Sequence, residues 1–137
     1  MSDTKRTVEY FFDVGSPTAY LAWTQLPKIA AETGATASVR GSAGFAAFAG
    51  AKHALRALAQ SMARELGPQG LHVAHVVIDG AIDTRFIAEN FPERYALKEQ
   101  AGILSPEAIA DNYWNLHCQE KSAWTHELDL RPWLESW

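Results

Sequence analysis

The chain has 137 residues, a formal net charge of −4 and a pI near 5.7. That length supports one domain with a modest core rather than two independent ones, and the acidic balance gives no long-range attraction to nucleic-acid phosphates or an anionic membrane, so neither is an expected partner. Apolar residues at 47% and charged residues at 20% exclude a disordered or low-complexity chain.

In chain order, residues 8–14 (VEYFFDV) form an aromatic and β-branched run closed by Gly15-Ser16-Pro17, the pattern of a buried strand ending in a turn. Ser16 is placed to cap a helix over residues 18–32, which Pro27 kinks and Gly34 stops. Residues 35–50 are rich in Gly, Ala and Ser, with Phe45 and Phe48 as the large apolar anchors, and read as a loop or helix entrance. The clearest helix follows, with Leu55, Leu58, Met62 and Leu66 at helical spacing and Gly67-Pro68 as its stop signal. Residues 71–78 (LHVAHVVI), between Gly70 and Asp79-Gly80, predict a buried strand. Residues 85–102 predict short helices and an irregular loop. Ser105-Pro106-Glu107 starts a helix that runs to about Gln119, and residues 124–130 (WTHELDL) alternate as a last strand ended by Arg131-Pro132.

The order β, α, α, β, α, α, β predicts an α/β fold: a small sheet of about three strands with flanking helices. Such a sheet leaves apolar surface and two edges to cover, so a homodimer or a domain swap is expected. The lone Cys118 excludes an intrachain disulfide and a cysteine-rich zinc module. The N-terminal MSDTKRTVEY lacks the apolar stretch of a signal peptide, and no run reaches the roughly 18 apolar residues of a membrane span. A soluble cytoplasmic protein without a membrane partner is the expectation.

Residues 10–35, with FFDVGSPTAYLAWTQLPKIAAETGA within them, resemble the first strand and helix of 2-hydroxychromene-2-carboxylate isomerases, thioredoxin-like relatives of kappa-class glutathione transferases. That resemblance implies a glutathione-activating role for Ser16, since a helix N-terminus stabilises a thiolate; the ordinary role of a serine there is a cap. From Thr33 the text TGATASVRGSAGFAAFAGAKHALRALAQSMARELGPQGLHVAHVVIDGAIDT resembles the C-terminal half of short-chain dehydrogenases/reductases, and SAWTHELDLRPW resembles that family's last strand. The chain thus reads as one composite domain over 1–137, an isomerase-like fragment at 1–32 and a truncated Rossmann-like fragment at 33–137, joined near Thr33-Gly34-Ala35.

The dehydrogenase resemblance implies a serine that polarises the substrate oxygen, a tyrosine proton donor and, four residues later, a lysine that lowers the tyrosine pKa. Lys52 takes the lysine position; Phe48 stands where the tyrosine belongs and Ala35 where the serine belongs. Neither Gly-x-x-x-Gly-x-Gly nor Gly-x-Gly-x-x-Gly occurs, so the backbone cradle for a dinucleotide pyrophosphate is missing. Ile82-Asp83-Thr84 resembles the family's nicotinamide-side contact. The helix carrying Leu55 and Leu58 resembles the one that packs against its symmetry mate in that family.

With hydride chemistry depleted, the remaining polar groups suggest a cofactor-independent hydrolase of activated esters or phosphoesters acting on a small-molecule substrate. Its catalytic residues are Lys52, Asp79 and Asp83; His72, His75 and His126 are candidate ligands for a divalent metal such as zinc, which lowers the pKa of a bound water. No organic cofactor is expected. His72 and His75, three apart on a strand, point to opposite faces, whereas His72 and His126 begin neighbouring strands. The bland reading of each histidine is a surface or hydrogen-bonded ring, and of Lys52 a solvated helix lysine. The alternative function is a non-catalytic dimeric remnant of a short-chain dehydrogenase, binding or structural; residual NAD(P)-dependent oxidoreduction ranks third.

Overall fold

A computed structural model of the chain describes residues 39–41 and 43–135. The expected strand at 8–14, the helix at 18–32, Ser16 and the joint at 33–35 lie outside the described residues. Two strands and four α-helices, with 3-10 turns between them, make up the described part.

Helix α1 spans Ala46–Leu66. No side chain caps its start, where Phe45 is buried and packs with Ala49 and Phe48 in a small apolar cluster. It stops where Gly67-Pro68 predicted, at Leu66, and Gly67, still right-handed in backbone, opens a 3-10 turn at Gly67–Gln69. The chain leaves the helical path at Gly70, φ 82°, whose amide donates to the Gly67 carbonyl at 2.9 Å. Proline at 68 fits the first turn of the 3-10 segment, since the amide it lacks has no partner there anyway.

Strand β1 is His75–Ile78 and β2 is Glu127–Leu130. They pair in parallel, with His75 opposite Glu127 and Ile78 opposite Leu130. Both are shorter than the sequence pattern suggests, because residues 71–74 and 124–126 approach without ladder pairing. Along β1 and its exit His75, Val77 and Asp79 are buried and Val76 and Ile78 half-buried, the two-residue period of a pleated strand.

The crossover from β1 to β2 carries α2 (Arg85–Asn90), α3 (Pro92–Tyr95), a 3-10 turn (Ala96–Gln100), α4 (Pro106–His117) and a second 3-10 turn (Lys121–Ala123). Its helix starts are chemically specified. Thr84 caps α2 by accepting the Ile87 amide at 3.3 Å. Ser105 caps α4 by accepting the Ala108 amide at 3.2 Å, with Pro106 in the first turn. A parallel pair needs such a long connection, and helices supply it. Ile82 and Leu104 form an isolated parallel bridge, with the Asp83 amide on the Leu104 carbonyl and the Leu104 amide on the Ala81 carbonyl, both at 2.8 Å. The loop at 96–104 is thereby stitched to the turn after β1.

This is a small parallel sheet with flanking helices, a partial Rossmann-like fold as expected, with two described strands. Among the described residues no helix is long and apolar enough to cross a membrane. Apolar side chains remain exposed, including Leu55 and Leu58 on α1.

Candidate functional site

Three places hold the residues singled out from the sequence. At the entry to the two strands lie the histidines. The ring Nε2 of His72 is 2.8 Å from the Thr125 carbonyl oxygen, and the ring stacks on Trp124 with centroids 4.7 Å apart. His126 Nδ1 is 3.2 Å from the Val73 carbonyl oxygen. The two rings thus cross the strand pair in opposite directions, each donating to the other segment's backbone. His75 is buried, with Nδ1 3.3 Å from Glu127 Oε2. Glu127 also takes both Nε and Nη2 of Arg56, at 2.6 and 2.7 Å, which ties α1 to β2.

Burial pushes the His75 pKa below its ordinary value, against the weaker pull of Glu127. Hydrogen bonding from Arg56 holds the Glu127 carboxyl below the usual carboxylate range, and the same bond raises Arg56. The carbonyl bonds occupy one nitrogen of each ring and leave the other, but no group of three metal-ligating side chains converges among the described residues. The Nε2 of His126 is buried without a hydrogen-bond partner.

At the other end of β1, Asp79 is 3% exposed and its carboxylate lies 3.3 Å from Arg131 Nη1. Asp83 sits four residues on, with Oδ2 2.7 Å from Lys98 Nζ. The Lys98 ammonium, with help from the Tyr95 hydroxyl, holds the Asp83 carboxyl below its usual range, and Asp83 raises Lys98 in return. Lys98 Nζ is also 3.5 Å from Tyr95 Oη.

The third place is the exposed face of α1, where the Lys52 ammonium lies 5.6 Å from the centroid of the Phe48 ring. The three expected catalytic groups therefore occupy different settings: Lys52 over an aromatic ring, buried Asp79 against a half-buried arginine, and half-buried Asp83 against an exposed lysine. Sequence reading missed Arg56, Glu127, Tyr95, Lys98 and Arg131. Glu127 was accessible through strand register, which places it opposite His75, and Tyr95-x-x-Lys98 through helical spacing. Arg56 joins a partner 71 residues away and leaves no local signal; Arg131 has a local partner in Asp129, but its contact with Asp79, 52 residues away, has none.

A parallel pair linked by a helical crossover, with a turn into a capped helix at the end of β1, is part of a Rossmann-like α/β fold. A family profile described as enoyl-(acyl carrier protein) reductase matches residues 29–123. The chain belongs to this family, within the short-chain dehydrogenases/reductases. A solved structure of a short-chain dehydrogenase from Rhodopseudomonas palustris is 46% identical, with a TM-score of 0.48, over 72% of this chain and 35% of that one. The chain thus spans 35% of the length of that dehydrogenase. No curated protein matches the sequence.

These findings correct two expectations. The family matched over residues 29–123 is a reductase family, which overturns the hydrolase reading. The family also implies NAD(P) rather than a divalent metal acting without organic cofactor, and His72, His75 and His126 make no metal group. The isomerase resemblance at residues 1–32 receives no support, and the family match begins at residue 29, ahead of the expected joint.

The residues described here fit NAD(P) in part. The turn at 82–84 is formed and rigidly stitched to Leu104. The glycine-rich pyrophosphate cradle does not occur in the sequence, so this chain's residues alone do not make a complete dinucleotide site.

Proposed function

We propose that the chain is a truncated short-chain dehydrogenase/reductase that keeps the nicotinamide-side turn and the subunit-packing helix of its family and serves as a dimeric binding or structural module, without hydride transfer of its own. One observation carries the reading. Where the family resemblance calls for a tyrosine four residues before Lys52, the aromatic ring under the lysine ammonium belongs to Phe48, which has no proton to transfer. The lysine position is kept, and the residue in the tyrosine position has no acidic proton.

The second copy is expected on α1. Leu55 and Leu58 are 43% and 54% exposed on one face of a 21-residue helix, and covering them removes apolar area from water. The turn at 82–84 is where a nicotinamide would be met, with Asp83 and Lys98 bordering it. The composite reading of residues 1–32 as a foreign segment remains part of this proposal, resting on their resemblance alone.

The test combines sedimentation with cofactor titration. A dimer that changes NADH fluorescence weakly, at millimolar cofactor, and shows no NAD(P)H oxidation with carbonyl or enoyl thioester substrates supports the proposal. A monomer at all concentrations, or steady turnover, refutes it.

A second reading, residual reductase activity, is favoured by Tyr95. Its hydroxyl lies 3.5 Å from an ammonium beside Asp83, so the turn has a phenol next to a cation. Lys98 is already paired with Asp83, however, which removes most of its power to stabilise a phenolate. Any turnover that survives Phe48→Ala and vanishes in Tyr95→Phe supports this second reading.

A further inference from the structure

We propose that residues 131–135 act as a strap that orders the turn at 80–83 and the loop at 96–104, so that this end of the fold is assembled by the C-terminal segment and not by the strand pair alone. Each residue of the segment makes a different contact. Arg131 reaches the buried Asp79 at 3.3 Å. Pro132 is buried against Gly80, where a Cβ would fall 2.7 Å from its Cδ. Gly80 has φ 139°, a backbone shape that also disfavours a side chain.

The Trp133 indole N–H donates to the Gln100 carbonyl at 2.7 Å although the residue is 74% exposed. An exposed tryptophan held by its one polar atom is a tether rather than core packing. Leu134 lies against Gly102, where a Cβ would fall 2.9 Å from Leu134 Cδ1 and 2.7 Å from Leu97 Cβ. Glu135, its side chain 7% exposed, forms an ion pair with Arg94, with Nη1 3.7 Å from its Oε2.

Five consecutive residues thus reach the β1 exit, α3, and the loop before α4. The turn and loop are otherwise joined to each other through the Ile82 and Leu104 bridge and the Asp83 and Lys98 pair. Two glycines at the points of closest approach show that the segment is seated with no room for a methyl group. The inference concerns what orders the turn and stands whether or not a nicotinamide meets it.

The test uses the full chain carrying Trp133→Phe and Glu135→Gln, which remove the indole donor and the carboxylate charge with little change of volume. Amide hydrogen exchange is read at Asp83 and Leu104, which bond across turn and loop, and at His75 and Asp79, which bond from β1 to the β2 segment. The expected result is about tenfold faster exchange at Asp83 and Leu104, the scale of losing one hydrogen bond and weakening one ion pair, with less than about twofold change at His75 and Asp79. A chain ending at Arg131 should give the same pattern, larger. Equal acceleration at all four amides, or no change at any, overturns the proposal. If the shortened chain does not fold, the full-length variant still decides between these outcomes.

Discussion

Replacing Arg131 with methionine probes how the exit of β1 is held. Asp79 is 3% exposed and the arginine side chain 13% exposed, so their pairing lies largely out of water. Removing one partner of a buried pair leaves a desolvated charge behind, typically at a cost of 3–5 kcal/mol. Asp79 has further contacts, which places the expected loss at the lower end, about 3 kcal/mol. The second partner of Arg131, Asp129, is 36% exposed and adds little. For a folded unit near 100 residues that loss lowers Tm by about 10–20 °C. Urea unfolding followed by circular dichroism gives the free energy directly, with an unchanged slope if the variant unfolds from the same state. Replacing both charges, Asp79→Leu with Arg131→Met, should recover most of the loss, because no charge is then left buried. A single-variant loss below about 1 kcal/mol, or a double variant no more stable than the single, refutes the reasoning.

The remaining predictions concern the histidine end, a helix cap and the exposed helix face. The His75 pKa is lowered in the folded protein by burial, so the unfolded chain binds the proton more readily. Its contribution to stability is full above the unfolded value of about 6.5 and is lost as pH falls through that value toward the lowered one. The fall in Tm between about pH 7 and 5 should therefore be shallower in His75→Gln than in the parent protein; parallel curves contradict this. Ser105→Ala removes the oxygen that accepts the Ala108 amide and should cost about 1 kcal/mol, with Ser105→Asp close to neutral in thermal melts. Leu55→Glu with Leu58→Glu should shift sedimentation from dimer to monomer while far-ultraviolet circular dichroism stays unchanged, since both side chains face solvent within one protomer.

Local chemistry made much of this legible. Ser105 and Pro106 announce α4 because cap hydroxyl and first-turn proline act within three residues. The spacing of Leu55, Leu58, Met62 and Leu66 announces α1 for the same reason. Gly67-Pro68 announced the end of α1 at Leu66, whereas the 3-10 turn that follows, closed by left-handed Gly70, was not legible. Strand lengths were overread at 71–74 and 124–126, where apolar pattern persists but ladder pairing does not. Type and proximity made the histidines candidate ligands, with a hydrogen-bonded ring as the ordinary reading, and for His72 and His126 the ordinary reading is what the structure shows. Their actual partners, backbone carbonyls of Thr125 and Val73, carry no sequence signature at all. Likewise the neutralisation of Asp83 by Lys98 depends on how the crossover folds back. The hydrolase expectation failed because departures from the family's catalytic pattern were taken as gain of another chemistry, whereas the family match over residues 29–123 is to a reductase family.

The central claim is that this dehydrogenase fragment retains its lysine without an acid and therefore transfers no hydride. The most direct measurement is NAD(P)H oxidation by the purified chain with a panel of carbonyl and enoyl thioester substrates, run beside Phe48→Ala and Tyr95→Phe. The account predicts no rate above the protein-free control in any of the three. A steady rate in the parent chain, retained in Phe48→Ala and abolished in Tyr95→Phe, would contradict it and make Tyr95 the acid.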